Sequence, residues 1–386
     1  MLRTIIEAGG SATRSEIARA TELSRPTVDE RVTALTRLGL ARATTARNST
    51  GGRPASSIEF AAERFISLCV DIGERYARVA FVAFGGKIIA QQAIPIDLTV
   101  ASDHLLSNVV VAATELQDGL KPEQRQIAGV GVGVPAPVDY PGGRTVGWSV
   151  MSGWSGFDIA GYFRDIFGVP TFVDNDVNLL LLAESETVLT DVEHVLFVKI
   201  GQGIGSALKI SGAIDRGADG AAGDIGHVHV AGREDIICRC GKRGCLEALA
   251  GGWALARDFA ARESSYAGID AGEVADVIQH GTPLVMDLVH EAAQRVGEAV
   301  AVATSLLNPQ AIIIGGRVGC ASDQFVAAVR SVVYERSLPL ATRKLSILNS
   351  QLDDTGGVRG AALLVEQNLL SEEHIDDLAL RKDAKT

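Results

Sequence analysis

The densest group of reactive side chains lies in residues 223–247. Three of the five cysteines, Cys238, Cys240 and Cys245, fall within eight residues, and His227 lies eleven residues before the first of them. Thiolate sulfur and imidazole nitrogen are preferred ligands of Zn²⁺, and four protein ligands complete a structural site that has no open position for water. The spacing therefore predicts a structural zinc site in this segment, which we call the cysteine loop.

The fourth ligand of this site has two candidates. His227 and His229 are two residues apart, and residues at that spacing share one face of a strand. The spacing alone leaves both histidines open.

A second group of polar side chains stands out from a chain in which 47% of the residues are hydrophobic. Asn175 and Asp176 follow a strand-like run, Asp224 precedes the Gly-His pair, and Glu247 follows the last cysteine of the loop. Each sugar hydroxyl needs a hydrogen-bond donor or acceptor, and carboxylates and amides that converge on one cleft supply them. The alternative is a loop in which Asn175 and Asp176 merely cap a helix.

Charge is distributed unevenly along the chain. Residues 1–58 contain nine arginines, no lysine and five acidic residues, a net charge of +4, whereas the remainder contains 27 basic and 42 acidic residues, a net charge of −15. A small basic head on a large acidic body is typical of proteins in which only the head contacts phosphate. The distribution favours nucleic acid as the partner of the first 58 residues.

Helix signals in the basic head follow the order of a winged helix-turn-helix. Ser15 is a candidate N-cap for one helix, and Ser24 is the N-cap of the next, with Pro26 in its first turn and Gly39 as its stop. A helix, a short turn and a second helix are the arrangement that presents the second helix to the major groove. A three-helix appendage used for protein contact is the alternative.

The start of the second helix and the polar segment after it supply the predicted DNA contacts. Residues near the N-terminus of a recognition helix contact base edges, and hydroxyls there suit phosphates. The following segment carries a Gly-Gly-Arg-Pro tip between β-prone stretches, as a wing does. The predicted DNA-binding residues are Ser24, Arg25, Pro26, Thr27, Arg31 and Arg53.

The body of the chain contains two similar β-rich segments. Residues 66–96 read as strand, glycine turn, strand, Gly-Gly turn and strand, and residues 194–214 repeat that plan. Such a duplication predicts an α/β body of two lobes with a cleft between them. The glycine-rich turns DIGER, GQGIG, IIGG and DDTGG favour an actin-like nucleotide-binding ancestor.

From about residue 66 to residue 365 the chain resembles the ROK family of repressors, open reading frames and kinases. The resemblance is carried by Gly-His, ten further residues, and Cys-x-Cys-Gly-x-x-Gly-Cys-x-Glu, at residues 226–247. The basic head is similar to that of the repressor branch. The resemblance implies that a sugar is held by Asn175, Asp176, Asp224, His227 and Glu247, and that His227 also ligates zinc.

Three positions depart from the pattern of the family's kinases. Those kinases open with Asp-x-Gly-Gly-Thr, which cradles ATP phosphates, whereas residues 71–75 read DIGER and place the negative charge of Glu74 there. Gln202 replaces a threonine of the second loop, and Asp224 replaces a glutamate, which affects which sugar fits. Asp176, the base of the kinases, is retained. We therefore expect sugar binding without phosphoryl transfer, with Asp176 as a vestigial base.

The predicted architecture is a two-lobed α/β body, actin-like in the manner of sugar kinases and Hsp70, preceded by an all-α winged helix-turn-helix head. The predicted head is residues 1–58, the linker 59–65 and the body 66–386. Within the body, lobe 1 is predicted at about 66–174 plus the C-terminal helix, and lobe 2 at about 175–365.

The predicted function is a sugar-responsive transcriptional regulator, a repressor that binds operator DNA and a sugar or amino-sugar effector. We expect structural Zn²⁺ as the cofactor and a homodimer or homotetramer that reads a pseudo-palindrome. No run approaches the ~18 apolar residues of a membrane helix, and the N-terminus lacks a signal-peptide layout, so we expect a cytoplasmic protein with no membrane partner. The alternatives are an active ATP-dependent sugar kinase with a fused DNA-binding head and a DNA-binding protein with a vestigial pocket.

Overall fold

A computed structural model of the chain describes residues 1–45, 56–62, 65–124, 126–147, 151, 153–371 and 374–375. The predicted DNA contact Arg53, at the tip of the predicted wing, lies outside these residues.

The head combines three helices with a three-stranded antiparallel sheet. The helices are α1 (Leu2–Glu7), α2 (Arg14–Thr21) and α3 (Arg25–Leu38), and the strands, in the order β1-β3-β2, are β1 (Ser11–Thr13), β2 (Ala41–Thr45) and β3 (Ser56–Phe60). The prediction of an all-α head is wrong, because alternate residues Ile58 and Phe60 bury their side chains against the helices from one face of a strand. Strand β3 also crosses the predicted boundary at residue 58, so the head reaches residue 60 and the predicted linker starts too early.

Helix α3 begins and ends where the sequence predicts. The Ser24 hydroxyl accepts a hydrogen bond from the Thr27 N–H, and Gly39 ends the helix in the left-handed region at φ 79°. Helix α2 begins earlier than predicted, because Thr13 and not Ser15 is its N-cap. The Thr13 hydroxyl accepts from the Glu16 N–H while the Glu16 carboxylate accepts from the Thr13 N–H, which completes a capping box.

Lobe 1 is built on a five-stranded mixed sheet in the order β10-β7-β4-β5-β6. Strands β4, β7 and β10 are parallel, and β5 and β6 add antiparallel neighbours at one side. Parallel strands end at one edge of a sheet, and here that edge faces the second lobe. The lobe comprises β4 (Ile66–Ile72), β5 (Tyr76–Ala83), β6 (Lys87–Pro95), α4 (Ser102–Asp118), β7 (Gly129–Val134), β8 (Val138–Asp139), β9 (Arg144–Thr145), α5 (Ile159–Phe167) and β10 (Thr171–Asn175).

Lobe 2 repeats the plan with a sheet in the order β13-β12-β11-β14-β15, which confirms the predicted duplication. Its strands are β11 (Val195–Ile200), β12 (Ile204–Ile210), β13 (Ala213–Asp215), β14 (Ala311–Gly315) and β15 (Ser346–Asn349). Its helices are α7 (Glu247–Ala250), α8 (Gly252–Arg262), α9 (Val274–His280), α10 (Pro283–Leu307), α11 (Asp323–Arg336) and α12 (Pro339–Thr342). None of the described helices, including the 25-residue α10, is both long and apolar enough to cross a membrane.

Two further helices, α6 (Asp176–Thr187) and α13 (Gly356–Leu369), pack against each other where the lobes meet. Helix α13 also packs on strands β4 and β7. Helix α13 therefore packs with lobe 1, although most of it falls within the range 175–365 that the sequence assigned to lobe 2.

The head and lobe 1 share one hydrophobic cluster. Phe65 stacks on Phe60 of strand β3 at a centroid distance of 6.3 Å and contacts Phe84 at 5.5 Å. Val365 and Leu369 of helix α13 belong to the same cluster as the buried residues of α1, α2 and α3. Helix α13 thus contacts both the head and the interior of the body.

Candidate functional site

A cleft of about 1060 Å³ separates the two lobes. Its walls combine the carboxyl ends of strands β4 and β10, the glycine-rich turn after β11 and part of the cysteine loop. The structure brings all of the predicted sugar-binding residues to this cleft, where they line its walls: Asn175, Asp176, Asp224, His227 and Glu247.

Asn175 is the N-cap of helix α6, which is the plain alternative that the sequence allowed. Its Oδ1 accepts from the Val177 N–H at 2.9 Å, and its Nδ2 donates to the Ala136 carbonyl at 3.1 Å. Each group still has one unused hydrogen-bonding position by its chemistry. The amide is therefore held rigidly at the cleft wall, in an orientation compatible with a ligand hydroxyl.

Asp176 is buried and forms an ion pair with Lys199 of strand β11. Burial works against the lysine charge, but the carboxylates of Asp176, Asp71 and Glu74 outweigh it and raise the pKa of Lys199 to about 12. Lys199 therefore stays charged and occupies Oδ2 of Asp176. A ligand hydroxyl must compete with this ammonium for the carboxylate.

Asp71, at the end of strand β4, lies deep in the same cleft. Burial raises the pKa of Asp71 to about 6, Asp176 adds to the effect, and Lys199 opposes it. Gly357 is required beside it, because a Cβ there would lie 2.1 Å from Asp71 Oδ2. The lobe-1 wall thus carries a carboxylate that is costly to ionise.

Glu247 connects the cysteine loop to the glycine-rich turn of lobe 2. Only 6% of the residue is exposed; its Oε1 accepts from the Trp253 indole at 3.1 Å and its Oε2 from the Ile204 N–H at 3.1 Å. A Cβ at position 203 would lie 2.4 Å from Oε2, so glycine is required in the turn. The carboxylate is both a cleft residue and the anchor of the turn.

The cysteine loop gathers four metal-binding groups. The ligand atoms of His227, Cys238, Cys240 and Cys245 lie within 4.8 Å of one another. Cys240 Sγ is 3.6 Å from Cys245 Sγ, and Cys238 Sγ is 3.8 Å from His227 Nδ1. Ligand separations of about 3.5–3.8 Å follow from tetrahedral geometry with metal–ligand bonds of ~2.0–2.3 Å, so the donor set fits a metal ion.

His229, the rival ligand, lies outside this group. Its Nε2 is 3.5 Å from the Glu234 carboxylate, and its backbone bridges to Cys245. Among the two candidates, the structure brings His227 to the thiols. The turn of helix at Ile225–His227 points His227 toward both the thiols and the cleft.

The lobes are also joined beside Asn175 by a buried ion pair. Asp174, 2% exposed, accepts from Arg216 Nε and Nη2 at 2.8 and 2.6 Å. The Arg216 guanidinium lies 3.9 Å from the centroid of the Tyr140 ring, and the Tyr140 hydroxyl donates to Asn368 of helix α13 at 3.1 Å. This chain of contacts connects the cleft to the helix that contacts the head.

The head presents the start of helix α3 to solvent. Ser24, Arg25, Pro26 and Arg31 are exposed and Thr27 is partly buried. The Ser24 and Thr27 hydroxyls are 2.7 Å apart, so the two side chains form one hydrogen-bonded cap. The predicted contact residues in the described part of the head therefore lie at the N-cap and in the first half of helix α3, mostly exposed.

Sequence analysis missed four residues of the site. A lysine inside the apolar run VLFVKI was the one available signal for Lys199, since charged residues in buried strands are rare. Arg216 and Arg239 carry no comparable signal, because their carboxylate partners, Asp174 and Glu74, are distant in sequence. Trp253 lies only six residues after its partner Glu247, but no motif marks the two as a pair.

A two-lobed α/β body with a glycine-rich turn in each lobe and a polar cleft between them defines an actin-like fold of the sugar-kinase type, here preceded by a head of three helices and a small sheet. The chain belongs to the ROK family, whose model matches residues 67–368. The predicted family and the predicted fold of the body are confirmed.

The proteins similar to this chain include both repressors and kinases of the family. The chain is 26% identical over 383 residues to a putative xylose repressor of Caldicellulosiruptor sp. (strain Rt8B.4), covering 96% of this chain and 95% of that protein. It is 26% identical over 317 residues to a glucokinase of Halalkalibacterium halodurans, covering 79% of this chain and 96% of that protein.

Among solved structures, the chain superposes on a ROK family transcriptional regulator described as a homolog of the E. coli MLC protein. The TM-score is 0.80 at 22% identity, and the match covers 97% of this chain and 95% of that one. The likeness confirms the fold of the body, and the superposed region extends into the head.

The raised pKa of Asp71 predicts a pH-dependent stability. Above pH 6 the folded protein bears the cost of an ionised buried carboxylate, and this cost falls as the pH drops from about 6 toward the ordinary value of 3.8. Asp71→Asn should therefore stabilise the protein by roughly 1–3 kcal/mol at pH 8 and by about half as much at pH 5. Chemical denaturation at both pH values measures this, with exposed Asp165→Asn as the control. Destabilisation by Asp71→Asn at both pH values would contradict the assignment.

Proposed function

We propose that this chain is a sugar-responsive transcriptional regulator that binds operator DNA through its head and represses transcription. The observation that carries the proposal is the extent of the matches. The repressor and the regulator structure match 96% and 97% of this chain, head included, whereas the glucokinase matches 79%. The electrostatics of the head and the contents of the cleft support the same assignment.

We assign residues 1–60 as a winged helix-turn-helix with α3 as its recognition helix. Strands β2 and β3 form the antiparallel ribbon of the proposed wing, and Arg53 lies between them in the sequence. Asp29, an acidic residue on α3, is paired with Arg14 of α2 at 2.7 Å, which offsets its repulsion of phosphate. With Asp29 neutralised by Arg14, the exposed Arg25 and Arg31 exceed the remaining acidic residue of this stretch, Glu30, by one positive charge.

Arg25 is the sharpest test of this assignment. We expect Arg25→Ala in the full chain to weaken binding to a duplex selected from a random library by roughly 1–3 kcal/mol and to relax preference at one base position. Mobility shifts on the selected duplex and its single-base variants measure both effects. Arg164→Ala, at an exposed position of helix α5 in the body, is the matched control. Equal losses in both variants would argue against a head-mediated contact.

The cleft is proposed to bind a sugar or amino sugar as the effector. It presents carboxylates from Asp176, Asp224 and Glu247, the Asn175 amide and the His227 imidazole, a donor and acceptor set suited to several hydroxyls. A sugar that contacts both lobes would change their angle and so the spacing of two heads in a homodimer or homotetramer. It alters DNA affinity only to the extent that it binds the two arrangements differently.

We infer that the protein is not a kinase, although the kinase base is present. Asp176 is engaged by Lys199, and Glu74 brings a carboxylate into the part of the cleft where the family's kinases hold phosphates. An active kinase with a fused head is the second candidate, and the retention of Asp176 together with the glucokinase relative is what favours it.

Asp176→Asn separates the two candidates. A thermal-shift panel of glucose, xylose, N-acetylglucosamine and N-acetylmannosamine first identifies a binding sugar through its stabilisation of the folded state. With that sugar, ATP and Mg²⁺, we expect no phosphorylation by the wild-type chain, while the sugar shifts operator affinity by roughly 1–3 kcal/mol. Asp176→Asn should weaken the affinity for the sugar by about tenfold or more, and exposed Asp165→Asn should leave that affinity unchanged.

The kinase candidate makes the opposite prediction for the same samples. Turnover near the ~1–100 s⁻¹ of competent kinases, abolished by Asp176→Asn, would replace the regulator proposal.

We propose Zn²⁺ as the metal of the cysteine loop, held by His227, Cys238, Cys240 and Cys245. A Cys₃His set leaves no open position, so the ion would stabilise the loop and orient His227 and Glu247 without contributing chemistry to a substrate.

Cys240→Ser tests the metal site. We expect a single equivalent of zinc in the purified wild-type chain and loss of most of it in Cys240→Ser, with a lower thermal midpoint and a weaker sugar response. Elemental analysis and thermal unfolding measure these changes. Exposed Cys320→Ser, outside the loop, should keep its zinc. Wild-type protein that lacks zinc and gains none on addition of the ion would contradict the site.

A repressor must share a compartment with the chromosome, so the proposal includes a cytoplasmic location.

A further inference from the structure

The glycine-rich turn of lobe 2, residues 201–205, points consecutive backbone N–H groups into the cleft. The Gly203 N–H donates to Glu74 Oε1 at 3.3 Å, and the Ile204 N–H donates to Glu247 Oε2 at 3.1 Å. Consecutive N–H groups of a turn form a concave site for anions. In this chain both donors already have a carboxylate, one from each lobe.

Glu74 reaches this turn from across the cleft. It lies in the turn between strands β4 and β5 of lobe 1, and its Oε2 lies 3.5 Å from Nη1 of Arg239. Arg239 belongs to the cysteine loop, between Cys238 and Cys240 in the sequence. Arg239 is itself held over the Trp253 ring at 5.0 Å from the ring centroid. One side chain of lobe 1 therefore contacts a backbone donor and a cation of lobe 2.

The neighbouring residue holds the same turn in place. Arg75 pairs with Asp270 of lobe 2 at 2.9 Å, and a Cβ at position 272 would lie 2.1 Å from Arg75 Nη1. This ion pair is half-exposed and adds little free energy by itself. Its effect is to orient the turn so that the Glu74 side chain points into the cleft.

We propose that Glu74 determines the ligand specificity of the cleft, acting as a built-in anion that occupies the phosphate-binding position of the turn and bridges the lobes. A phosphate group needs the same Gly203 N–H and the same Arg239 guanidinium, so it must displace a carboxylate that is already tethered. Of the proposed sugar-binding residues, Glu247 adjoins these contacts through the Ile204 N–H. Asn175 and Asp176 contact other groups, the Ala136 carbonyl and Lys199. This proposal rests on the proposed function in one respect, that the wild-type chain transfers no phosphoryl group.

Occupation makes a different prediction from charge repulsion. Removal of the Glu74 side chain leaves a backbone donor and a guanidinium facing the cleft, which together form an anion site. Replacement by glutamine removes the charge but keeps a side chain of the same length with an oxygen that accepts from Gly203. Glycine fits the position, since it adopts every backbone conformation open to glutamate.

Calorimetric titration with inorganic diphosphate tests the proposal on the full chain without DNA or sugar. We expect no detectable binding of millimolar diphosphate by wild type or Glu74→Gln. Glu74→Gly should bind diphosphate with a dissociation constant at least about tenfold below the highest concentration at which wild type fails to bind. Glu74→Gly combined with Arg239→Met should lose the new binding, which would locate it at the turn. Thermal midpoints and zinc content verify the fold of each variant, and Glu74→Ala serves if Glu74→Gly is unstable.

Three outcomes would overturn the proposal. Diphosphate binding by wild type would show an open phosphate site, and equal binding by Glu74→Gln and Glu74→Gly would show charge repulsion instead of occupation. Failure of folded Glu74→Gly and Glu74→Ala to bind would show that Glu74 is not what excludes the anion. Loss of operator binding or sugar response in other assays leaves this titration unchanged, so the two proposals fail separately.

Discussion

The Glu247 carboxylate is a buried charge, and the need to surround it with donors ties the centre of lobe 2 together. A buried ionised group without hydrogen bonds costs several kcal/mol, whereas Glu247 has the Trp253 indole and the Ile204 N–H. It lies two residues after Cys245, so the conformation of the cysteine loop decides where the carboxylate goes. The glycine-rich turn, the first turns of helices α7 and α8 and the cleft wall follow from that one position.

The cleft contains more carboxylates than cations, and their pairing controls its chemistry. Lys199 is shared among Asp176, Asp71 and Glu74, and Arg239 faces Glu74. A polyphosphate must displace Glu74 from the Gly203 N–H and from Arg239, whereas a neutral sugar has only hydroxyls to exchange for these contacts. The arrangement suits a protein that senses a sugar and has no need to hold a phosphate donor.

The path from the cleft to the head passes through helix α13. The Asp174–Arg216 pair joins the lobes beside Asn175, and Tyr140 links Arg216 to Asn368. On the same helix, Val365 and Leu369 lie in the cluster that includes the core of the head. Because closely packed groups move together, a change in the angle between the lobes at the ion pair is expected to shift the hydrophobic cluster that joins helix α13 to the head.

The sequence by itself determined the features that depend on local chemistry. The limits of α3 follow from Ser24, Pro26 and Gly39, the metal-binding set follows from cysteine and histidine spacing, and the strand plan of both lobes follows from apolar runs between glycine turns. These signals need only neighbouring residues. The choice of His227 over His229 needed the folded loop, because both share one spacing pattern.

Only the tertiary structure decided which charged groups meet. Lys199 pairs with Asp176 and Glu74 reaches Gly203 and Arg239 because two sheets and a loop converge at one cleft, and no local pattern encodes those distances. Sequence analysis likewise predicted an all-α head without its sheet, and it assigned most of helix α13 to lobe 2 although the helix packs on lobe 1. Their stability comes from burying apolar faces against distant segments, a long-range effect that residue spacing does not record.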